Sequence, residues 1–157
     1  MATGSKQLIE SIFQCAVGNK LEVEIGQKTT DYNDVSQQIK AWFGTWEEKT
    51  VFHFEEYHLL IYASDWRIDL DFDPIIGSND ELEIQCDALC KLDGKRLLNF
   101  SILNDSFDAL LEFESGYNMH IFSCSVLKNE AWVLFAPENK AFIAGPGEEW
   151  DYTNTDD

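Results

Sequence analysis

Apolar residues along this chain follow two periods, and the alternation between them occurs twice. Leu8, Ile9, Ile12, Phe13 and Ala16 recur every three or four positions, which predicts an amphipathic helix behind the small polar Ser5. Gly18 closes it, because helices commonly end on a residue in the left-handed conformation that glycine adopts without penalty. The period then shortens to two and predicts strands near 20–25, 50–55, 57–64, 66–72 and 74–77. A second helical stretch follows. Ser78-Asn79-Asp80-Glu81 has the form of a capping box, Leu82, Cys86, Leu89 and Cys90 fall on one face, and Gly94 is the stop. Residues 81–86 also alternate as a strand would, but Gly94 lies 76 residues after Gly18, and that register favours a helix. Strands are predicted again near 96–103, 108–114, 117–124, 131–136 and 140–144, with tight turns at Glu56, Ser115-Gly116 and Pro137 to Lys140.

The two rounds match in detail. Phe54-Glu55-Glu56-Tyr57-His58-Leu59-Leu60-Ile61-Tyr62 parallels Phe113-Glu114-Ser115-Gly116-Tyr117-Asn118-Met119-His120-Ile121-Phe122, with one residue added at the turn. Upstream, Gly18-Asn19-Lys20-Leu21 parallels Gly94-Lys95-Arg96-Leu97, and downstream Trp66-Arg67-Ile68 parallels Trp132-Val133-Leu134. Internal similarity of this kind predicts an α+β fold built by duplication of one unit, with two to three helices packed on antiparallel sheet. The expected divisions are a first repeat over 1–80 carrying an insertion at 26–48, a second repeat over 81–150, and an acidic tail over 151–157. All three belong to one compact domain.

The copies differ in three places. Within the insertion, Val35, Ile39, Trp42 and Phe43 fit a short helical face closed by Gly44, with Trp46 just beyond. This element either carries aromatic anchors for a partner or is an extra helix covering a sheet face. In the strand Trp66 to Asp73, the residues Trp66, Ile68, Leu70 and Phe72 alternate to one side, so Asp69, Asp71 and Asp73 share the other at about 7 Å intervals. Like charges in a row need water or cations. The row therefore suits a solvated face, a surface for a basic protein, or a divalent cation site. Its counterpart, Trp132-Val133-Leu134-Phe135-Ala136, is apolar on both sides and is expected to be buried on both. The third difference is the tail, where Glu148, Glu149, Asp151, Asp156 and Asp157 come without a base and the final residues are expected to fray.

Charge sharpens the reading. The net charge is -18 over 157 residues, a field that repels nucleic-acid phosphates and anionic membranes and favours cations or basic proteins as partners. With 45% hydrophobic and 13% aromatic residues the chain can bury a core, so its body is expected to be ordered. No apolar run approaches the roughly 20 residues that span a bilayer, and no basic-then-hydrophobic leader opens the chain, so a cytoplasmic location is expected. Cys15, Cys86, Cys90 and Cys124 lie inside apolar periodic segments and read as buried free thiols of a reducing compartment.

Motifs for catalysis are weak. His53, His58 and His120 fall in strands without metal-ligand spacing, Cys86 and Cys90 have no second ligand pair, and Gly145-Pro146-Gly147 reads as a turn rather than a phosphate cradle. No nucleophile elbow occurs, and no metal or cofactor is implied. The succession Gly94-Lys95-Arg96-Leu97, then 108–117, then Ile121-Phe122, then Trp132, resembles small acidic bacterial proteins of unknown function, some of them suspected immunity proteins of polymorphic toxin or contact-dependent growth inhibition systems. The insertion at 26–48 departs from that shorter unit. The resemblance implies a non-catalytic binding protein that neutralises a basic toxin, such as a nuclease, by occlusion. Asp69, Asp71, Asp73, Glu47 and Glu48 would supply charge for steering, and Trp42 and Trp46 the lasting contacts. Two other classes stay open: a small enzyme or ligand binder whose pocket between the repeats gathers the three histidines, and a structural or regulatory module.

Overall fold

The computed structural model describes residues 2–25, 50–62, 64–124 and 129–154. The insertion, with Trp42, Trp46, Glu47 and Glu48, lies outside the described residues. The helices are α1 (Ala2–Gln14) and α2 (Leu82–Leu92). Described strands in the first half are β1 (Glu22–Ile25), β2 (Thr50–Phe54), β3 (Tyr57–Ile61), β4 (Ser64–Leu70) and β5 (Asp73–Gly77). Those in the second half are β6 (Leu97–Ile102), β7 (Ala109–Phe113), β8 (Tyr117–Ser123), β9 (Trp132–Ala136), β10 (Lys140–Ala144) and β11 (Trp150–Asn154).

All neighbouring strands are antiparallel, and they form two sheets, so the fold is α+β. One sheet runs β1-β2-β3-β9-β10-β11 and the other β5-β4-β8-β7-β6. Each sheet therefore joins strands from both halves of the chain, three with three in the six-stranded sheet and two with three in the five-stranded one: β3 pairs β9, and β4 pairs β8. Side chains alternate across each strand, so one face of each sheet supplies a shared core. Phe52 meets Trp66 edge-on at 6.4 Å between ring centroids, and Phe54 stacks on Phe113 at 6.1 Å, so the sheets touch face to face. Helix α1 adds Phe13, stacked on Phe100 at 3.7 Å and edge-on to Trp132 at 6.4 Å. Glu10 of the same helix accepts the backbone N–H of Ile102 at 2.9 Å, satisfying a donor of the edge strand β6.

The segments leading into β1 and β6 cross each other. Lys20 sits opposite Arg96 in an antiparallel bridge. Around it Gly18 N–H donates to Leu97 O and Gly94 N–H to Leu21 O, each at 2.7 Å, while Leu21 N–H donates to Lys95 O at 2.8 Å and Leu97 N–H to Asn19 O at 3.0 Å.

Several expectations need correction. Helix α2 forms without the capping box, since Glu81 makes no side-chain cap. Gln85 instead ties the preceding loop to the helix, its amide donating to Ser78 O at 3.0 Å and to Asp80 O at 2.7 Å. The buried face of α2 is accordingly Gln85, Leu89 and Leu92, which leaves Cys90 exposed and Cys86 half-buried. Cys15 and Cys124 are exposed too, so the four thiols are free but none is buried. Part of the acidic tail forms a strand that alternation did not predict: Trp150–Asn154 pairs with β10 as β11, and Trp150 stacks on Phe142 at 5.6 Å, while the final residues, expected to fray, lie outside the described residues. The doubly apolar β9 behaves as expected. Trp132 and Leu134 enter the shared core, while Val133 and Phe135 join Val51, Leu60 and Ala141 in a second buried cluster on the opposite face.

Candidate partner-binding face

Strand β4 sends Trp66 and Ile68 into the core and Asp65, Arg67 and Asp69 to the outer face of the five-stranded sheet. Across it, β8 buries Met119 and Ile121, so His120 and Phe122 face outward beside them. Asp69 is only 5% exposed. Arg67 grips it through Nε to Oδ1 at 2.8 Å and Nη2 to Oδ2 at 3.2 Å, and His120 Nε2 lies 3.3 Å from Oδ2. The hydrogen bond to Asp69 pushes the Arg67 pKa further up. The guanidinium also sits 5.5 Å from the Phe122 ring centroid, and His120 stacks on Phe122 at 5.9 Å.

The expected row of three carboxylates is therefore broken. Strand β4 ends at Leu70, and Asp71 and Phe72 form a two-residue turn with φ of +50° and +71°, the left-handed pair that a tight I′ hairpin requires. Asp71 and Asp73 are exposed and flank the tip, whereas Asp69 is locked inside by Arg67 and His120. Phe72 does not join Trp66 and Ile68 in the core; it is 87% exposed. Periodicity missed this turn because Phe72, at the position where such a turn favours Gly, instead continues the apolar alternation of the strand. The hairpin is held from the side: Asp71 N–H donates to Gly116 O at 3.0 Å, and a Cβ on Gly116 would overlap the Asp71 carboxylate.

Beside the hairpin a groove of about 440 Å³ lies between Arg67, Ile75, Ser78, Asp80 and Phe122. Its polar wall is a small network in which Asp65 accepts Ser78 Oγ at 3.0 Å and Cys124 Sγ at 3.4 Å. Partial desolvation of the otherwise exposed Cys124, with the Asp65 carboxylate beside it, pushes its thiol pKa up, away from the thiolate that nucleophilic chemistry needs.

The three histidines do not converge. His53 and His58 meet across the β2–β3 hairpin with Nδ1 atoms 2.7 Å apart, on the face of the six-stranded sheet away from the shared core. Burial lowers the His53 pKa to about 4, with Glu22 opposing, and that of His58 to about 3, with the neighbouring His53 adding to the effect. Both rings are neutral at pH 7, one donating and the other accepting. His120 lies on the outer face of the other sheet, so no three-histidine pocket assembles. Among the described residues no group of three His, Cys, Asp or Glu side chains is placed to hold a metal ion, and no helix is long and apolar enough to cross a membrane. No family model, curated protein or solved structure matches the chain.

Proposed function

We propose that this chain is a non-catalytic binding protein that works in the cytoplasm as a bacterial immunity protein, neutralising a basic toxin such as a nuclease by covering its substrate-binding surface. One observation carries the reading. Residues 68–90 hold seven carboxylates (Asp69, Asp71, Asp73, Asp80, Glu81, Glu83, Asp87) and no base. The β4–β5 hairpin and α2 bring the exposed six of them to neighbouring elements, with Asp69 alone buried. A patch of one sign on a molecule of net charge -18 raises the encounter rate with a cationic surface and disfavours nucleic acid. Glu47 and Glu48 would extend the field, and Trp42 and Trp46 are further candidate anchors, all outside the described residues.

The test is inhibition of purified basic nucleases, including any encoded beside this gene, together with stopped-flow association. Stoichiometric inhibition is expected, with an association rate that falls steeply as the screening length shortens from about 30 Å at 0.01 M salt to about 8 Å at 0.15 M. Changing Asp71 and Asp73 to Asn should slow association further. No inhibition, or a rate indifferent to both salt and these substitutions, would reject the mechanism.

We also propose that the fold arose by internal duplication. The strand orders β1-β2-β3-β9-β10 and β6-β7-β8-β4-β5 interchange when the halves are exchanged. Residues matched by sequence meet each other as a twofold axis would require: Lys20 faces Arg96, Phe54 stacks on Phe113, and the bonds Gly18 to Leu97 and Gly94 to Leu21 are mutual counterparts.

A further inference from the structure

We infer that Phe72, at the tip of the β4–β5 hairpin, is the apolar anchor of this molecule, made to fill an apolar pocket rimmed by lysine and arginine on a basic protein. The inference rests on the acidic-binding reading and gives it a contact point. A phenylalanine with φ of +71° holds a backbone conformation that glycine or asparagine adopts at much less cost. Phe107, also left-handed at φ +67°, shows what ordinarily offsets that cost: its ring is 1% exposed, packed on Trp132 at 6.3 Å and Phe142 at 5.9 Å. Phe72 has no such return, because its ring is 87% exposed, more than any other large apolar side chain described. Other left-handed turn residues, Glu55, Ser115, Glu138 and Asn139, are polar, as exposed turns usually are. A strained residue whose side chain does nothing for the fold points to work done on another molecule.

The setting says which kind of molecule. Asp71 and Asp73, both exposed, flank Phe72 along the chain, and the turn is tied to the next strand where Asp71 N–H donates to Gly116 O, so the ring stands at an acidic hairpin tip held by the sheet. Ile75, 40% exposed, and Phe122, 36% exposed, share the adjoining groove and extend the apolar footprint. An aromatic wedge on a preordered hairpin loses little entropy on binding. Its acidic flanks demand a cationic rim, because an acidic or neutral rim would leave the carboxylates without partners.

The test places p-benzoylphenylalanine at position 72 and, for comparison, at Ile84 on α2 and at Leu98 on the far edge strand, followed by irradiation in the cells that carry this gene. An adduct with a basic protein through position 72 and none through position 98 is expected. Against that protein, once purified, Phe72→Gly should weaken binding about 30-fold, chiefly through faster dissociation. The same substitution should raise the Tm of the isolated chain by about 2 to 4 °C, because glycine relieves the left-handed backbone. A fall in Tm would mean that the ring packs within the fold, and unchanged affinity, an adduct with a second copy of this chain, or no adduct through position 72 would each overturn the inference. A basic protein captured through Ile84 but not position 72 would sink the anchor and leave the acidic-binding reading standing. Capture of no basic protein from any position would sink both.

Discussion

At the scale of single residues, three polar groups decide what the two outer faces can do. Asp69 is a structural carboxylate: with Arg67 and His120 both directed at it, Asp69→Asn strips the partner from a half-exposed guanidinium. We expect a loss of about 1 kcal/mol by urea denaturation, small because Arg67 keeps water on one side. His53 and His58 set the acid limit. Their folded pKa values, about 4 and about 3, lie below the ordinary 6.5, so the unfolded chain takes up protons that the folded chain refuses. The stability this contributes is complete above pH 6.5 and falls as pH drops toward 4 and then 3, by about 1.4 kcal/mol per pH unit for each ring. Chemical denaturation at pH 7, 6 and 5 should show stability falling by about half that slope from pH 7 to 6 and nearly all of it from pH 6 to 5, and changing both histidines to Leu should flatten it. An unchanged slope would mean that carboxylates carry the dependence.

At the scale of elements, aromatic contacts tie helix α1 and the two sheets into one core, while α2 is held by Leu89 and Leu92. Phe13 carries α1, since it meets Phe54, Phe100 and Trp132 together and is fully buried. Phe13→Ala should cost about 3 to 5 kcal/mol and should loosen α1, with amide exchange speeding up at the Ile102 N–H that Glu10 holds. Exchange unchanged at Ile102 would show that α1 is anchored elsewhere. The strands themselves were legible because alternation fixes which residues point inward, and each predicted strand from 50 to 144 lies within a few residues of an observed one. Where an element went astray, the cause was local and chemical. Phe72 continued the alternation and so hid a turn that its neighbours' pairing imposes, and Glu81, the expected capping residue, makes no cap, while Gln85 bonds the loop before the helix.

At the scale of the whole molecule, the exchange of hairpins between sheets has a consequence for folding. Neither half owns a complete sheet, because β4 and β5 complete the one begun by β6 to β8, and β9 and β10 the one begun by β1 to β3. Fragments 1–80 and 81–157 made separately should therefore stay largely unfolded by circular dichroism, whereas together they should associate and recover the spectrum of the intact chain. A fragment that folds cooperatively alone would show that the exchanged hairpins contribute little. The intact chain should unfold in a single transition, since Phe52 with Trp66 and Phe54 with Phe113 lock the sheets into one core.

What the sequence determined by itself is what depends on near neighbours along the chain. Strand and helix periods, the glycine stop at Gly94, the two-sided apolar character of β9 and the acidity of the whole are set residue by residue, and all can be read without a partner in view, whereas α1 ends at Gln14, short of the expected stop at Gly18. Tertiary structure alone decided which strands pair. Alternation says which face of a strand is apolar but not which neighbour its backbone will bond, so nothing local indicated that β4 would join β8 rather than β3. It also decided the fate of identical side chains. Asp69 is gripped by a cation from its own strand and a histidine from the next, while Asp71 and Asp73, equally acidic and two and four positions on, flank an exposed ring at the end of a hairpin.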